Sequence, residues 1–278
     1  MQHHQKLAII IFSAIVFFAT VSSALVQIQP FIIGGHEVDV AKHPYLISIR
    51  YRLVDNGPYW HKCAGVIVSE HAVLTAAQCI REIQTDRVMI VAAANRRTGG
   101  DGQHYPATKW IGHAEFSTYT ADYDIGLLFV DLPFEFTADG ATLRSINIRR
   151  QRPAAGHLAT VVGWGYREEF GPSSNYLKEI QVPIVSQSEC VSIYGVGEVT
   201  ERMICAGFVN GGHDACQGDT GGPLIYNGEL VGLVSWGRGC GRPGYPSGYT
   251  YVDSLRSWIG EQLEKNTGRG LSVNESAI

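Results

Sequence analysis

Two short stretches hold side chains whose types could support acyl-transfer chemistry. "DACQGDTGGP" at 214–223 sets the Thr220 hydroxyl in a glycine-rich turn beside Asp214 and Asp219, and "LTAAQC" at 74–79 places Gln78 before a cysteine. A threonine hydroxyl attacks a carbonyl only when an adjacent base takes its proton. The Gln78 carboxamide donates and accepts hydrogen bonds but is far too weak a base to accept a proton near neutral pH. The other candidate bases, His36, His43, His61, His71, His104, His113, His157 and His213, lie in no motif that places them beside Thr220. They read as surface or packing residues, His71 at a strand turn and His213 near a loop. The question is whether something is missing at Gln78.

The elements that must position these residues read as short strands. "YLISIRY" at 45–51, "GVIVS" at 65–69, "DRVMIVAAA" at 86–94, "DIGLLFV" at 124–130, "LATVVGWG" at 158–165 and "ELVGLVSWG" at 229–237 are rich in Val, Ile and Leu. Thirty-two glycines and 11 prolines punctuate the chain. Many short strands with turn signals between them predict an all-β sandwich or barrel architecture. One helix is expected, at about 253–266, with Asp253 as its cap and Leu255, Trp258, Ile259 and Leu263 on one face against the second half of the β structure. "NRRTGGDG" at 95–102 and "IRRQRP" at 148–153 read as exposed loops, the second also marking the connection between two halves.

The 278 residues carry a formal charge of −4, which gives no basic excess for nucleic acid. Residues 1–24 have the pattern of a secretory signal peptide: a polar start, a 15-residue apolar run and small residues before a cut after Ala24. The run falls short of the ~20 residues that span a bilayer, so no membrane anchor is expected. Export makes disulfides the default state of Cys63, Cys79, Cys190, Cys205, Cys216 and Cys240, among which 15 pairings are open. Neither a C-x₂-C pair nor a cysteine–histidine cluster suggests a metal, and no cofactor is expected. Asn274-Glu275-Ser276 in the polar tail 267–278 is a glycosylation sequon.

Several motifs, in order along the chain, resemble the chymotrypsin/trypsin-like serine peptidases. They are "IIGGHEV" from Ile32, "LTAAQC", "DYDIGLL" at 122–128, "GWG" at 163–165, "GDTGGP" at 218–223, "SWG" at 235–237 and "YTYV" at 249–252. The resemblance covers about 32–266. It implies two six-stranded antiparallel β-barrels with a cleft between them and a C-terminal helix. The first barrel is expected over about 32–148 and the second over about 149–250. It also implies disulfides Cys63–Cys79, Cys190–Cys205 and Cys216–Cys240.

In that family a hydroxyl attacks, an imidazole moves the proton and a buried carboxylate orients the imidazole. The resemblance matches Asp124 to the carboxylate but leaves Gln78 where the family has histidine and Thr220 where it has serine. The Gln78 NH₂ could donate to Asp124 while its carbonyl accepts from the Thr220 hydroxyl, preserving the pattern without the chemistry. By the same resemblance, Gly218 and Thr220 offer the oxyanion-hole N–H groups. Asp214, Ser235, Gly237 and Ser247 line the primary pocket, narrowed where Ser247 replaces a glycine. Asp219 would pair with the amine freed by a cut before Ile32, releasing a propeptide of 25–31. Phe31 precedes that bond, so a basic-specific activator would not cut it.

The sequence therefore predicts a secreted, monomeric, non-catalytic homologue that binds extracellular proteins or peptides, such as peptidase substrates or inhibitors. The alternatives are a residual hydrolase that uses Thr220 and a structural or storage protein without a specific ligand.

Overall fold

The computed structural model describes residues 34–137, 142–166, 168–268 and 270. The first half holds strands β1 (His36–Glu37), β2 (Leu46–Tyr51), β3 (Trp60–Ser69), β4 (Ala72–Thr75), β5 (Val88–Ala92), β6 (Gln103–Gly112) and β7 (Gly126–Val130). The second holds β8 (Leu158–Gly163), β9 (Lys178–Val185), β10 (Met203–Ala206), β11 (Pro223–Tyr226), β12 (Glu229–Trp236) and β13 (Ser247–Tyr251). Helices α1 (Ala77–Ile80), α2 (Gln187–Tyr194) and α3 (Arg256–Thr267) complete the set.

Both expected barrels close. Strands β2-β3-β4-β7-β6-β5 form a ring of antiparallel pairs, with β2 and β5 meeting in the register Ile49↔Ile90. In the second ring, β9-β10-β13-β12-β11-β8 returns to β9 through Val161↔Ile180. The short strand β1 crosses over and pairs with β9 of the second barrel, His36 opposite Glu179.

The period of two along each strand decides what each barrel holds. In β2, Ile47 and Ile49 point into the first barrel with Ile67, Val73, Ile90 and Leu128. Leu46, on the alternate face, joins Val66, Leu74, Leu127, Val162, Trp164 and Leu233 in a core shared between the barrels. The second barrel is filled by Val161, Val182, Ile204, Leu224, Val231 and Tyr249. Burying each such aliphatic side chain contributes about 1.5–3 kcal/mol, so the shared layer fixes the relative placement of the two halves. Disulfides join Cys63–Cys79, Cys190–Cys205 and Cys216–Cys240, the pairing that the family resemblance implies.

Several expectations change. The C-terminal element is a 3₁₀ turn at Val252–Leu255 followed by α3. Asp253 lies in that turn and is not the cap of α3; its Oδ1 accepts from Arg256 Nε at 2.6 Å. Leu255, Ile259 and Leu263 bury as a stripe with Trp258 packed beside them, but against the shared core rather than the second barrel alone. Helix α2 adds a second helix of more than one turn, capped by the Ser186 hydroxyl accepting from Glu189 N–H at 3.2 Å. The signal peptide, the propeptide, Ile32 and Asn274 lie outside the described residues.

Candidate active site

The segment directly after β4 places Gln78 on the single-turn helix α1, anchored by the neighbouring Cys79 disulfide. Asp124 lies just before β7 and is fully buried. Gln78 N–H donates to its Oδ1 at 2.9 Å, and Gln78 Nε2 donates to its Oδ2 at 2.5 Å. The Ser235 hydroxyl reaches the same Oδ2 at 2.6 Å. Burial pushes the Asp124 pKa above its ordinary value, and these hydrogen bonds pull against that shift. The carboxylate is thus satisfied on both oxygens.

The second half of the expected relay is absent. Gln78 Nε2 spends its other proton on the Ser235 carbonyl at 2.9 Å. Among the described residues, no hydrogen bond joins the Gln78 carbonyl to the Thr220 hydroxyl. The carboxamide is oriented toward Asp124 and Ser235 instead, because both are fixed acceptors of its two N–H groups. No histidine among the described residues lines the cavity that contains Gln78 and Thr220.

Thr220 sits in the turn between Cys216 and β11. Gly221 adopts φ +78°, and a Cβ there would lie 2.5 Å from the Ala64 carbonyl oxygen, so only glycine lets the turn approach β3. Thr220 C=O accepts from Ala64 N–H at 2.9 Å, tying the turn to the first barrel. Gly218, at φ +100°, and Thr220 keep backbone N–H groups with no acceptor among the described residues. Those groups have the character of an oxyanion site, which depends on backbone donors alone.

A buried network behind this turn was not legible in the sequence. Ser48 and Arg50, on the face of β2 opposite Ile47 and Ile49, are buried polar residues. His61 Nε2 donates to Gly218 C=O at 2.8 Å, so its Nδ1 accepts from the Ser48 hydroxyl at 2.8 Å. Ser48 in turn accepts from Arg50 Nε at 3.2 Å. Burial holds His61 neutral by lowering its pKa to about 3. The imidazole therefore fixes the orientation of the Gly218 peptide rather than handling protons in the cleft.

Asp219 is fully buried, accepting from Gly165 N–H at 2.7 Å and Cys216 N–H at 3.0 Å. Burial raises its pKa to about 6. Asp214 is also pushed up to about 6 by burial. Its Oδ2 accepts from Gly241 N–H at 2.8 Å, while its Oδ1 is buried without a hydrogen-bond partner of good geometry. Ser247 lies close enough to offset part of the pKa shift, and the Tyr249 hydroxyl is buried without a partner. A cavity of about 570 Å³ opens beside these groups, lined by Ala215 and Ser247, with Asp214 itself behind the lining. Its lining includes Gln78, Thr220, Ser235, Gly237, Ser247 and Arg238, with the loop around Tyr119 on the opposite side. Arg238 and that loop were missed in the sequence, where nothing marks them as neighbours of the pocket. His213 packs near Gly34 instead, away from this cavity.

Two closed antiparallel barrels, a cleft with an aspartate-centred constellation and a glycine-rich turn define a serine-peptidase-like class of protein. Residues 32–259 match the trypsin family model, and the chain belongs to that family. It is 36% identical to trypsin eta of Drosophila melanogaster, covering 90% of this chain and 95% of that one. Trypsin zeta of the same species is 39% identical, with 82% and 84% covered. The vitellin-degrading protease of Bombyx mori is 34% identical, with 84% and 85% covered.

Proposed function

We propose that this chain is a secreted, non-catalytic member of the trypsin family that acts by binding extracellular proteins or peptides through its cleft. The observation that carries this reading is Gln78, whose two N–H groups are committed to Asp124 and Ser235. Among the described residues, no hydrogen bond links the Thr220 hydroxyl to Gln78 or to any other group that could take its proton. In a related triad, losing the base or the nucleophile alone costs about 10⁶ in turnover, and the threonine methyl further crowds the approach of a carbonyl. The cleft's Asp214, with one oxygen unspent, favours a ligand with a basic side chain. The test is turnover of arginyl and lysyl peptides by purified protein cleaved before Ile32. Cleavage abolished by Thr220→Ala would overturn the reading.

A second reading is a residual hydrolase using Thr220. The unspent N–H groups of Gly218 and Thr220 favour it, as do relatives named as trypsins. It predicts covalent labelling of Thr220 by a fluorophosphonate probe. Labelling no greater than in Thr220→Ala would sink it.

A further inference from the structure

We infer that the peptide bound in this cleft carries an acidic side chain near its basic residue, and that Arg238 selects it. The inference rests on the reading of the cleft as a binding site whose floor is Asp214.

Arg238 is exposed and lines the same cavity as Gly237 and Ser247. Its guanidinium carbon lies 5.5 Å from the Tyr194 ring centroid and 5.3 Å from that of Tyr245. The two rings are themselves tilted partners 6.0 Å apart. Aromatic faces hold a guanidinium through its charge without consuming its N–H donors. Among the described residues, the Arg238 side chain makes no hydrogen bond or ion pair. Glu198 also lines the cavity and forms no ion pair with it.

Other arginines of the molecule are committed. Arg202 is bound in a fork by Asp122 and Arg242 by Glu169, while Arg149 pairs with Glu229 and Arg256 with Asp253 through one nitrogen each. Arg81, the other arginine of the cavity wall, pairs with Glu82. Arg238 therefore presents a held but unspent fork, the geometry that matches a carboxylate with two parallel hydrogen bonds. Asp214 lies behind the lining residues Ala215 and Ser247, so in the proposed reading the cavity is bipolar: a cation at depth faces Asp214 and an anion at the mouth faces Arg238. A peptide with both charges meets both groups, whereas a purely basic peptide brings like charge to Arg238.

The experiment measures fluorescence anisotropy of labelled arginine-centred peptides, with aspartate or asparagine placed in turn at each of the neighbouring positions. Benzamidine, an aromatic amidinium that needs only Asp214, is titrated in parallel. At one position aspartate should bind about tenfold tighter than asparagine, the size of one charge-assisted contact at a partly exposed rim. Arg238→Ala should erase that preference and leave benzamidine binding unchanged, and Arg238→Glu should reverse it, so that asparagine binds tighter than aspartate at that position. If benzamidine binds and no position prefers aspartate, the selection by Arg238 is wrong while the cleft reading stands. A preference that survives Arg238→Ala also overturns it. If neither benzamidine nor any peptide binds, the cleft reading fails, and this inference with it.

Discussion

The Gln78 carboxamide donates to Asp124 Oδ2 at 2.5 Å while its own backbone N–H donates to Oδ1 at 2.9 Å. A buried carboxylate left without donors would destabilise the fold. Glutamine meets that requirement, which depends on N–H groups and not on basicity. The site thus separates two properties that histidine combines: holding Asp124 and moving a proton. The first survives here without the second.

Restoring the second property should require both changes. Gln78→His with Thr220→Ser, in protein cleaved before Ile32, should hydrolyse an arginyl amide at least about 10³-fold faster than the parent. Either single variant should stay near the parent, because triad members act as a unit. Steady-state turnover of a fluorogenic amide measures this. A folded, processed and inactive double variant would mean that the pocket or the oxyanion donors are not assembled.

Gln78→Ala should destabilise the protein by about 1–3 kcal/mol, since Asp124 Oδ2 loses a donor in a buried setting. Ser235 and the residue 78 backbone N–H remain as donors, which places the effect toward the lower end. Chemical unfolding of parent and variant reads the difference. An unchanged midpoint and slope would show that the carboxamide contributes nothing to the fold.

Benzamidine affinity should depend on the ionisation of Asp214. Its pKa is raised to about 6, so the carboxylate is charged above that pH and becomes neutral as pH falls through it. Binding should weaken about tenfold between pH 7 and pH 5, with tenfold per pH unit as the limiting slope. Calorimetric titration across that range checks it, and Asp214→Asn should remove the dependence together with most of the affinity.

His61 contributes to stability with the opposite pH sense from Asp214 and Asp219. Its folded pKa of about 3 lies below the unfolded value of 6.5, so its contribution is full above 6.5 and declines as pH falls. The loss reaches about 2 kcal/mol by pH 5, at 1.36 kcal/mol per unit. The two aspartates, with folded pKa values of about 6 against 3.8, bind protons in the folded state first. They therefore add stability as pH falls from 6 toward 4. Comparing the parent with His61→Gln isolates the histidine: the parent's advantage should shrink by about 2 kcal/mol between pH 7 and pH 5. A constant difference between the two proteins over that range would refute this assignment.

The mostly buried strands were the most legible in the sequence, because segments rich in Val, Ile and Leu mark β2, β5, β7, β8 and β12. Strand β6, "QHYPATKWIG", was not recognised, since much of it is polar and exposed. Helix α2 was also missed, although Ser186 followed three residues later by Glu189 is a helix-start signal. Its few buried residues, Cys190 and Tyr194, gave too weak a stripe to read. Within the site, Gln78, Asp124, Thr220 and Asp214 stood out through family motifs. The Ser48–His61–Gly218 network and the Tyr194–Arg238–Tyr245 stack did not. His61 and Gly218 come from the two different barrels, and Tyr194 from a helix distant in sequence from Arg238, so only the tertiary fold brings them together.

The His61 anchor on Gly218 has a consequence for what the protein can do in quantity. It keeps the backbone donors of the turn presented whether or not a base stands at position 78. A peptide carbonyl seated there, in the proposed reading, meets hydrogen-bond donors but no route to bond cleavage. In the proposed reading, each complex ends only by dissociation, and the ligand leaves whole. One molecule then sequesters one ligand at a time, so the effect scales with the number of copies secreted rather than with turnover.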